Sequence, residues 1–132
     1  MKSIFLIIIC ISLVHSEYSR DFKKEVVIDS KAKLMWQDKL PKQEMDWSSA
    51  VSYCEDLKFA TYTDWRLPRI NELNSIVDVS VFKNRTASYY WSSTTYNGSN
   101  IFAWHIRFSD GYVNINIKKD KDSIRCVRGM RK

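Results

Sequence analysis

The stretch TYTDWRLPRINEL, residues 61–73, decides the fold, because it links two helical segments through a compact corner. It places Trp65 between Asp64 and Arg66, and Pro68 follows at a position favoured in a first helical turn. We interpret it as a structural corner rather than an active site, with Trp65 buried and the two charged residues hydrogen-bonded to the turn. The apolar residues that follow predict a second helix ending by about Asp78: Ile70, Leu73, Ile76 and Val77.

An amphipathic helix is predicted before the corner. Asp46 is a good N-cap residue, and the residues after it alternate between apolar and polar at helical spacing. Cys54 lies on the apolar stripe, so its side chain is expected to face the core. The stripe consists of Trp47, Ala50, Val51, Cys54 and Leu57.

The N-terminus has the features of a secretory signal peptide. Lys2 precedes an apolar block of about a dozen residues, shorter than the ~20 that a membrane span needs, so a retained anchor is the weaker alternative. Cys10 lies in a poor lipoprotein context. We expect export to the periplasm, the cell surface or the medium, with no stable membrane insertion after cleavage. The expected organisation is a signal peptide at 1–16, a short N-terminal arm at 17–24 and one domain at 25–130.

Two cysteines, Cys54 and Cys126, remain after such cleavage. In an oxidising compartment they are expected to form a disulfide that joins the first helix to the last strand. A catalytic thiol would need an activating base, and the remaining histidine, His105, lies in a different segment. The disulfide is therefore the favoured interpretation.

Short strands are predicted on both sides of the helices. EVVID (25–29) and LMWQD (34–38) form an expected opening hairpin, while YYWSSTT (89–95) and SIRCVRG (123–129) read as later strands.

The clearest hairpin is FAWHIRFSDGYVNINIK, residues 102–118, with Asp110-Gly111 as a preferred two-residue turn. Placing Ser109 opposite Tyr112 puts an apolar face toward the core, with Phe108 opposite Val113, Ile106 opposite Ile115 and Trp104 opposite Ile117. The other face would be solvated, with Arg107 opposite Asn114, His105 opposite Asn116 and Ala103 opposite Lys118.

Several motifs in this order resemble one family. They are LMWQ (34–37), WSSAVSYCEDL (47–57), DWRLPRINEL (64–73), YWSST (90–94), AWHIRFSDG (103–111) and RCVR (125–128). The chain resembles the Lcl C-terminal domain family, named for the Legionella collagen-like adhesin, over about residues 25–130. The resemblance implies an α+β, C-type-lectin-like fold of the branch that includes the formylglycine-generating enzymes. Two helices would pack on a small, twisted, mostly antiparallel sheet with one disulfide. Members often carry Gly where this chain has Phe59 or Ala60.

Neither activity suggested by the wider fold is supported by the residues. Calcium-binding lectins flank a Pro with carboxylate and carboxamide side chains, whereas Pro68 lies between Leu67 and Arg69. Formylglycine chemistry needs a further cysteine pair. The three glycines form no phosphate-binding loop. Five carboxylates could supply a pair for glycoside hydrolysis, but each is better explained as a helix-surface or capping residue: Glu55, Asp56, Asp64, Glu72 and Asp78. We expect no catalytic residues, no metal and no cofactor.

A binding surface is the remaining functional candidate, on the solvated hairpin face and the adjoining loop. Its alternative is an ordinary solvated sheet face, on which His105 is a surface residue. The net charge of +6, with a lysine-rich run at 118–121, indicates either a solvated turn or an anionic partner such as a sulfated glycan, an acidic polymer or a lipid headgroup. The candidate residues are Tyr96, Asn97, Asn100, His105, Arg107, Tyr112, Asn114, Asn116 and Lys118.

The functional hypothesis is therefore an exported, non-catalytic module. The resemblance implies recognition of sulfated glycosaminoglycans, since the terminal domain of the namesake adhesin is associated with them. We hypothesise adhesin-like recognition of acidic or sulfated glycans without calcium. The alternatives are an envelope structural or assembly protein that binds an exported protein, and a secreted enzyme subunit. Nucleic acid is disfavoured by export, and the oligomeric state stays open.

Overall fold

A computed structural model describes residue 4 and residues 17–130 of the chain. The predicted signal peptide lies outside the described residues except for Ile4, so it stays a prediction. Within the described part, no helix has the length and apolar content required to cross a membrane.

Seven strands and two helices form within the described residues, and the strands divide into two sheets rather than one. The first sheet has the order β1-β2-β3-β7 and the second β4-β5-β6, with every neighbouring pair antiparallel. The α+β class is thus confirmed. In chain order the elements are β1 Tyr18–Asp21, β2 Val26–Asp29, β3 Leu34–Gln37, α1 Trp47–Glu55, α2 Ile70–Ser75, β4 Tyr89–Thr95, β5 Phe102–Arg107, β6 Tyr112–Ile117 and β7 Val127–Gly129.

The first sheet extends the opening hairpin on both sides. β2 and β3 pair as expected, with Val26 opposite Gln37. Residues 17–24, expected to be a short arm, instead contain β1, which pairs with β2 from Tyr18 opposite Asp29 onward. The last strand is shorter than predicted because the amides before β7 bond elsewhere. The Ser123 N–H donates to the carbonyl of Tyr89, and the Cys126 N–H donates to the side chain of Gln37.

α1 forms as its sequence predicts. The Asp46 carboxylate accepts the backbone N–H of Ser49 at 2.8 Å, which caps the first turn. Ala50 and Cys54 are fully buried on the inner stripe, and Trp47 packs against the same core at the edge.

α2 begins two residues later than expected. Pro68 lies outside the helix, and its carbonyl accepts the N–H of Ser93 at 2.7 Å, which ties the corner to β4. Arg69 becomes the N-cap residue, and the Glu72 carboxylate accepts its N–H at 2.8 Å. The helix covers only residues 70–75, and Leu73 is its fully buried member.

Two apolar cores lie on opposite sides of both sheets. Successive residues of β2 face different cores, since Val26 lies in the first and Val27 in the second. The same alternation in β4 places Trp91 in the first core and Tyr90 in the second. β2 and the first half of β4 are therefore buried on both faces, which explains why neither strand reads as a simple alternation of buried and solvated residues.

The predicted disulfide joins Cys54 to Cys126, with the Cα atoms 5.5 Å apart. Both residues are fully buried in the first core, beside Ala50 and Trp65. The bond links the last turn of α1 to the residue before β7, and this confirms the predicted staple.

The corner residues bond to more distant elements than the sequence suggested. Trp65 is 2% exposed, lies in the first core, and donates its indole N–H to the carbonyl of Phe59 at 3.1 Å. Asp64 and Arg66 form ion pairs with residues beyond the turn. The Asp64 carboxylate accepts two hydrogen bonds from Arg128, at 2.6 and 3.1 Å, while Arg66 donates two to Glu72 of α2. The corner is thus fastened to β7 on one side and α2 on the other.

Glu72→Gln is expected to lower the free energy of unfolding at neutral pH by about 1 kcal/mol, a value reduced for the partial exposure of Arg66. Burial alone raises the pKa of Glu72, but hydrogen bonds from Arg66 and the Arg69 N–H outweigh it and lower the pKa below 4.5. The stabilisation is therefore complete above pH 4.5 and is lost as the pH falls through the folded-state pKa. Urea unfolding across this range should show a flatter acid dependence for the variant, and Glu55→Gln on the exposed face of α1 is the control.

Candidate functional site

The β5–β6 hairpin has a register that differs by two residues from the predicted one. Tyr112 lies opposite Arg107 rather than Ser109, and Ile106 lies opposite Val113. The loop has four residues, because the Gly111 N–H donates to the carbonyl of Arg107 at 2.8 Å. A two-residue type I′ turn would need positive φ at both Asp110 and Gly111, but of these only Gly111 has it, at +74°.

His105 is buried rather than at the surface as predicted. It is 7% exposed, and its Nδ1 lies 2.8 Å from the Asp122 carboxylate. The imidazole stacks on the Tyr89 ring with the ring centres 3.9 Å apart. Asn116 donates to the same Asp122 oxygen at 3.2 Å. Two of the predicted ligand residues, His105 and Asn116, are therefore committed to an internal carboxylate.

Arg107 lies between two aromatic rings on the hairpin surface. Its guanidinium carbon is 5.3 Å from the ring centre of Tyr89 and 5.5 Å from that of Tyr112. It also forms a two-point ion pair with Asp110, at 3.0 and 2.5 Å. The hydrogen bond from Arg107 lowers the pKa of Asp110 to about 2, and the same bond raises the pKa of Arg107. Much of the positive charge of Arg107 is thus already compensated within the hairpin.

Tyr112 and Asn114 remain available on the exposed surface of β6. Tyr112 is 50% exposed, and Asn114 is exposed as well. The Asn114 side-chain oxygen accepts the N–H of Ile115 at 2.8 Å, and its amide nitrogen can still donate to a ligand. With the edge of the Arg107 guanidinium, these side chains form a small polar and aromatic surface near the hairpin loop.

The remaining predicted residues lie at the opposite end of the hairpin. Tyr96 packs edge-on against Trp104, with the ring centres 5.7 Å apart, and Asn97 and Asn100 are exposed in the loop that follows β4. Lys118 donates its backbone N–H to the carbonyl of Ile101, and its ammonium group lies 3.9 Å from the ring centre of Trp47. The loop and the end of β6 are therefore held side by side.

A groove of about 350 Å³ opens between this loop and the end of β6. We call it the lysine groove. Ile101, which is 52% exposed, and Ile117 provide apolar wall, while Asn100 adds a carboxamide. No ion pair within residues 17–130 involves Lys118 or Lys119. The groove is lined by Asn100, Ile101, Ile117, Lys118 and Lys119.

The structure thus divides the predicted site into two separate surfaces. A strand rises by about 3.3 Å per residue, so Tyr112 and Lys118 lie about 20 Å apart along β6. A single small molecule cannot contact both ends, whereas an extended polymer can.

Several residues of these surfaces were absent from the sequence-based prediction. Tyr89, Asp122, Ile101 and Lys119 complete the ring stack, the internal carboxylate and the lysine groove. The alternation in β4 could have placed Tyr89 on the same face as Trp91, but nothing in the sequence indicates that this face adjoins His105. Among the described residues, no group of three or more His, Cys, Asp or Glu side chains could hold a metal ion.

Comparisons with known proteins agree with the architecture. The family model of the Lcl C-terminal domain matches residues 25–128. The crystal structure of botrocetin is similar at 10% sequence identity, over 87% of this chain and 98% of that chain, with a TM-score of 0.52. The C-type lectin CEL-I from Cucumaria echinata has 11% identity over 87% of this chain and 96% of its own, with a TM-score of 0.47. No curated protein gives a significant match. The predicted C-type-lectin-like fold is confirmed, and at such identity the likeness to botrocetin concerns the fold alone.

Proposed function

Because the chain belongs to the Lcl C-terminal domain family, we propose that it is an exported, non-catalytic module that binds acidic or sulfated glycans at the lysine groove. The observation that carries the proposal is the composition of this groove. Its two adjacent lysines form no ion pair with any residue of 17–130, and they lie beside a carboxamide and an exposed isoleucine. Family membership and the lectin-like fold favour a binding module in general, and the positive charge of the groove supports an anionic ligand.

Each part of the groove matches a part of an anionic sugar. The ammonium groups of Lys118 and Lys119 attract sulfate or carboxylate groups as point charges. The Asn100 carboxamide can both donate to and accept from sugar hydroxyls, since it carries two donors and one acceptor. Ile101 and Ile117 offer apolar contact to the C–H face of a sugar ring. Binding of this kind depends on ionic strength, because exposed charges are screened by salt.

Calcium has no part in this proposal. Leu67 and Arg69, the residues on either side of Pro68, offer an apolar and a cationic side chain instead of the oxygen ligands that a hard cation needs. The buried disulfide favours an oxidising compartment, so we place the module in the periplasm or outside the cell. The distance of about 20 Å from Lys118 to Tyr112 means that longer glycans can gain contacts at the second surface.

Heparin binding with the double variant Lys118→Gln/Lys119→Gln tests the site. We expect about tenfold weaker binding, with elution at lower salt and no effect of a chelator. Lys42→Gln/Lys58→Gln removes two exposed lysines that lie outside both proposed surfaces and form no ion pair within residues 17–130, and it is the control, with unchanged affinity. Arg107→Ala should have a smaller effect, because Asp110 already compensates its charge.

The outcomes separate the candidate functions. An array of acidic and neutral glycans without any binding would rule out the proposed ligand class, and co-purification with an exported protein would then favour an assembly role. An equal loss of heparin affinity in Lys118→Gln/Lys119→Gln and in the control variant would show that heparin binds through non-specific charge attraction.

A further inference from the structure

A second surface with ligand-binding chemistry lies on the turn between β1 and β2, apart from the lysine groove. Phe22 is 69% exposed, which makes it the most exposed large apolar side chain in residues 17–130. An apolar ring in contact with water has an unfavourable hydration free energy that a binding partner can relieve. The ring stands among positively charged side chains.

Hydrogen bonds close the turn that carries Phe22. The Asp21 carboxylate accepts the backbone N–H groups of Lys23 and Lys24 at 3.0 and 2.9 Å, and the Glu25 N–H donates to the Asp21 carbonyl. On the other side, the guanidinium carbon of Arg20 is 4.9 Å from the ring centre of Phe22. Arg20 is fixed in turn by its hydrogen bond to the buried Asp38 at 2.6 Å.

Three exposed lysines adjoin this ring in sequence or in space. Lys23 and Lys24 follow it directly, and the Lys83 ammonium lies 5.9 Å from the ring centre. No ion pair within the described part of the chain involves any of them. We call Phe22, Lys23, Lys24 and Lys83 the Phe22 patch.

We propose that the Phe22 patch docks this protein on an anionic lipid surface. Lysines next to a negative membrane are attracted as point charges, and an exposed Phe ring can enter the boundary between headgroups and acyl chains. The charges of the patch and of such a surface are complementary.

The polar groups around the patch favour a lipid surface over a second glycan site. Sugar recognition uses directional hydrogen bonds, in which carboxylates accept from sugar hydroxyls and carboxamides both donate to them and accept from them. The Asp21 carboxylate is occupied by its own turn, and Asn84, which follows Lys83, donates its side-chain amide to the Asp38 carbonyl. The patch therefore offers an apolar ring and non-directional positive charge. A single ring with three lysines supports weak, reversible attachment, not insertion across the bilayer.

Co-sedimentation with phosphatidylcholine vesicles, with and without phosphatidylglycerol, tests the proposal. All variants are purified from one expression host, and their masses are measured to verify that N-terminal processing is the same in each. The unchanged chain is expected to bind only the vesicles that contain phosphatidylglycerol. Phe22→Ala should weaken this binding about tenfold, Phe22→Trp should preserve it, and Lys23→Gln/Lys24→Gln should reduce it while leaving the melting temperature unchanged.

Two control variants separate this proposal from the proposed function. Ile101→Ala removes another exposed apolar side chain, and Lys118→Gln/Lys119→Gln removes the groove lysines; both should retain vesicle binding. Binding that is equal on both vesicle types, or unaffected by Phe22→Ala, would overturn the lipid proposal whatever the heparin result. Loss of heparin binding on Phe22→Ala, without vesicle binding by the parent chain, would assign the patch to glycans instead.

Discussion

Asp38→Ala is expected to lower the free energy of unfolding by about 3–5 kcal/mol, because it leaves a buried arginine without its counter-charge. Asp38 is fully buried, and its carboxylate accepts hydrogen bonds from Arg20 at 2.6 Å and from Arg125 at 3.0 Å. It also accepts the backbone N–H groups of Lys83 and Asn84. A single carboxylate therefore holds β1, the loop around residue 84 and the segment before β7.

The loss of charge compensation at Arg125 explains the size of this effect. The guanidinium of Arg125 is 1% exposed, and its Nε has no hydrogen-bond partner among the described residues. Without Asp38 the carbonyls of Gln37 and Asn84 still accept from it, but neither supplies negative charge. The free-energy cost of burying the charged Arg125 guanidinium away from water is then no longer offset by an ion pair.

Urea unfolding at neutral pH measures the change. Glu17→Ala is the control, since it removes the carboxylate partner of the exposed Lys31 at the surface and should have a much smaller effect. A loss for Asp38→Ala as small as that of the control would contradict the assigned role of the buried pair.

The acid dependence of the free energy of unfolding tests the same carboxylate in the unmodified protein. Burial alone raises the pKa of Asp38, but hydrogen bonds from Arg20, from the two backbone N–H groups and from Arg125 outweigh it and lower the pKa below 3.8. The stabilisation by this carboxylate is complete above pH 3.8 and is lost as the pH falls through the folded-state pKa. Asp38→Ala should lack this part of the acid dependence.

Trp65→Ala is also expected to cost about 3–5 kcal/mol, through the cavity left when a buried indole is removed. Trp65 contacts the Phe59 ring, with the centres 5.7 Å apart, and lies in the core that contains the disulfide. Trp65→Phe retains most of the apolar contact and loses the hydrogen bond to the Phe59 carbonyl, so its loss should be smaller.

Thermal melting combined with heparin binding tests the structural role of Trp65. The Phe variant should melt at a lower temperature and bind heparin with unchanged affinity. An unchanged melting temperature together with lost binding would instead make Trp65 a ligand contact and would refute the corner interpretation.

The elements that depend on local spacing could be predicted from the sequence. α1 follows from a helical stripe after an N-cap residue, and both signals act within a few residues. The hairpin register could not be obtained in this way. A shift by two residues keeps every side chain on the same face, so the apolar pattern fits both registers equally well. The choice is made by the loop, where Asp110 accepts hydrogen bonds from Arg107 and from the Tyr112 N–H.

The candidate site was less predictable because its partners come from distant segments. The burial of His105 depends on Asp122, 17 residues away, and on Tyr89 from another strand. The lysine groove likewise needs Ile101 and Lys118 to meet across the hairpin. Composition left both a solvated turn and an anionic partner open, and the fold adds which lysines form no ion pair within residues 17–130.

The burial of the disulfide has a kinetic consequence. Because Cys54 and Cys126 are fully buried, a dissolved thiol can reach the sulfur atoms only when the core opens. When reclosing is fast, the rate of reduction in the native protein follows the population of the open form, and when the thiol reacts faster than reclosing, it follows the opening rate itself. The rate at which a thiol reduces this disulfide under native conditions therefore measures how often the core opens, and fast reduction by the thiol gives the lifetime of the closed protein directly.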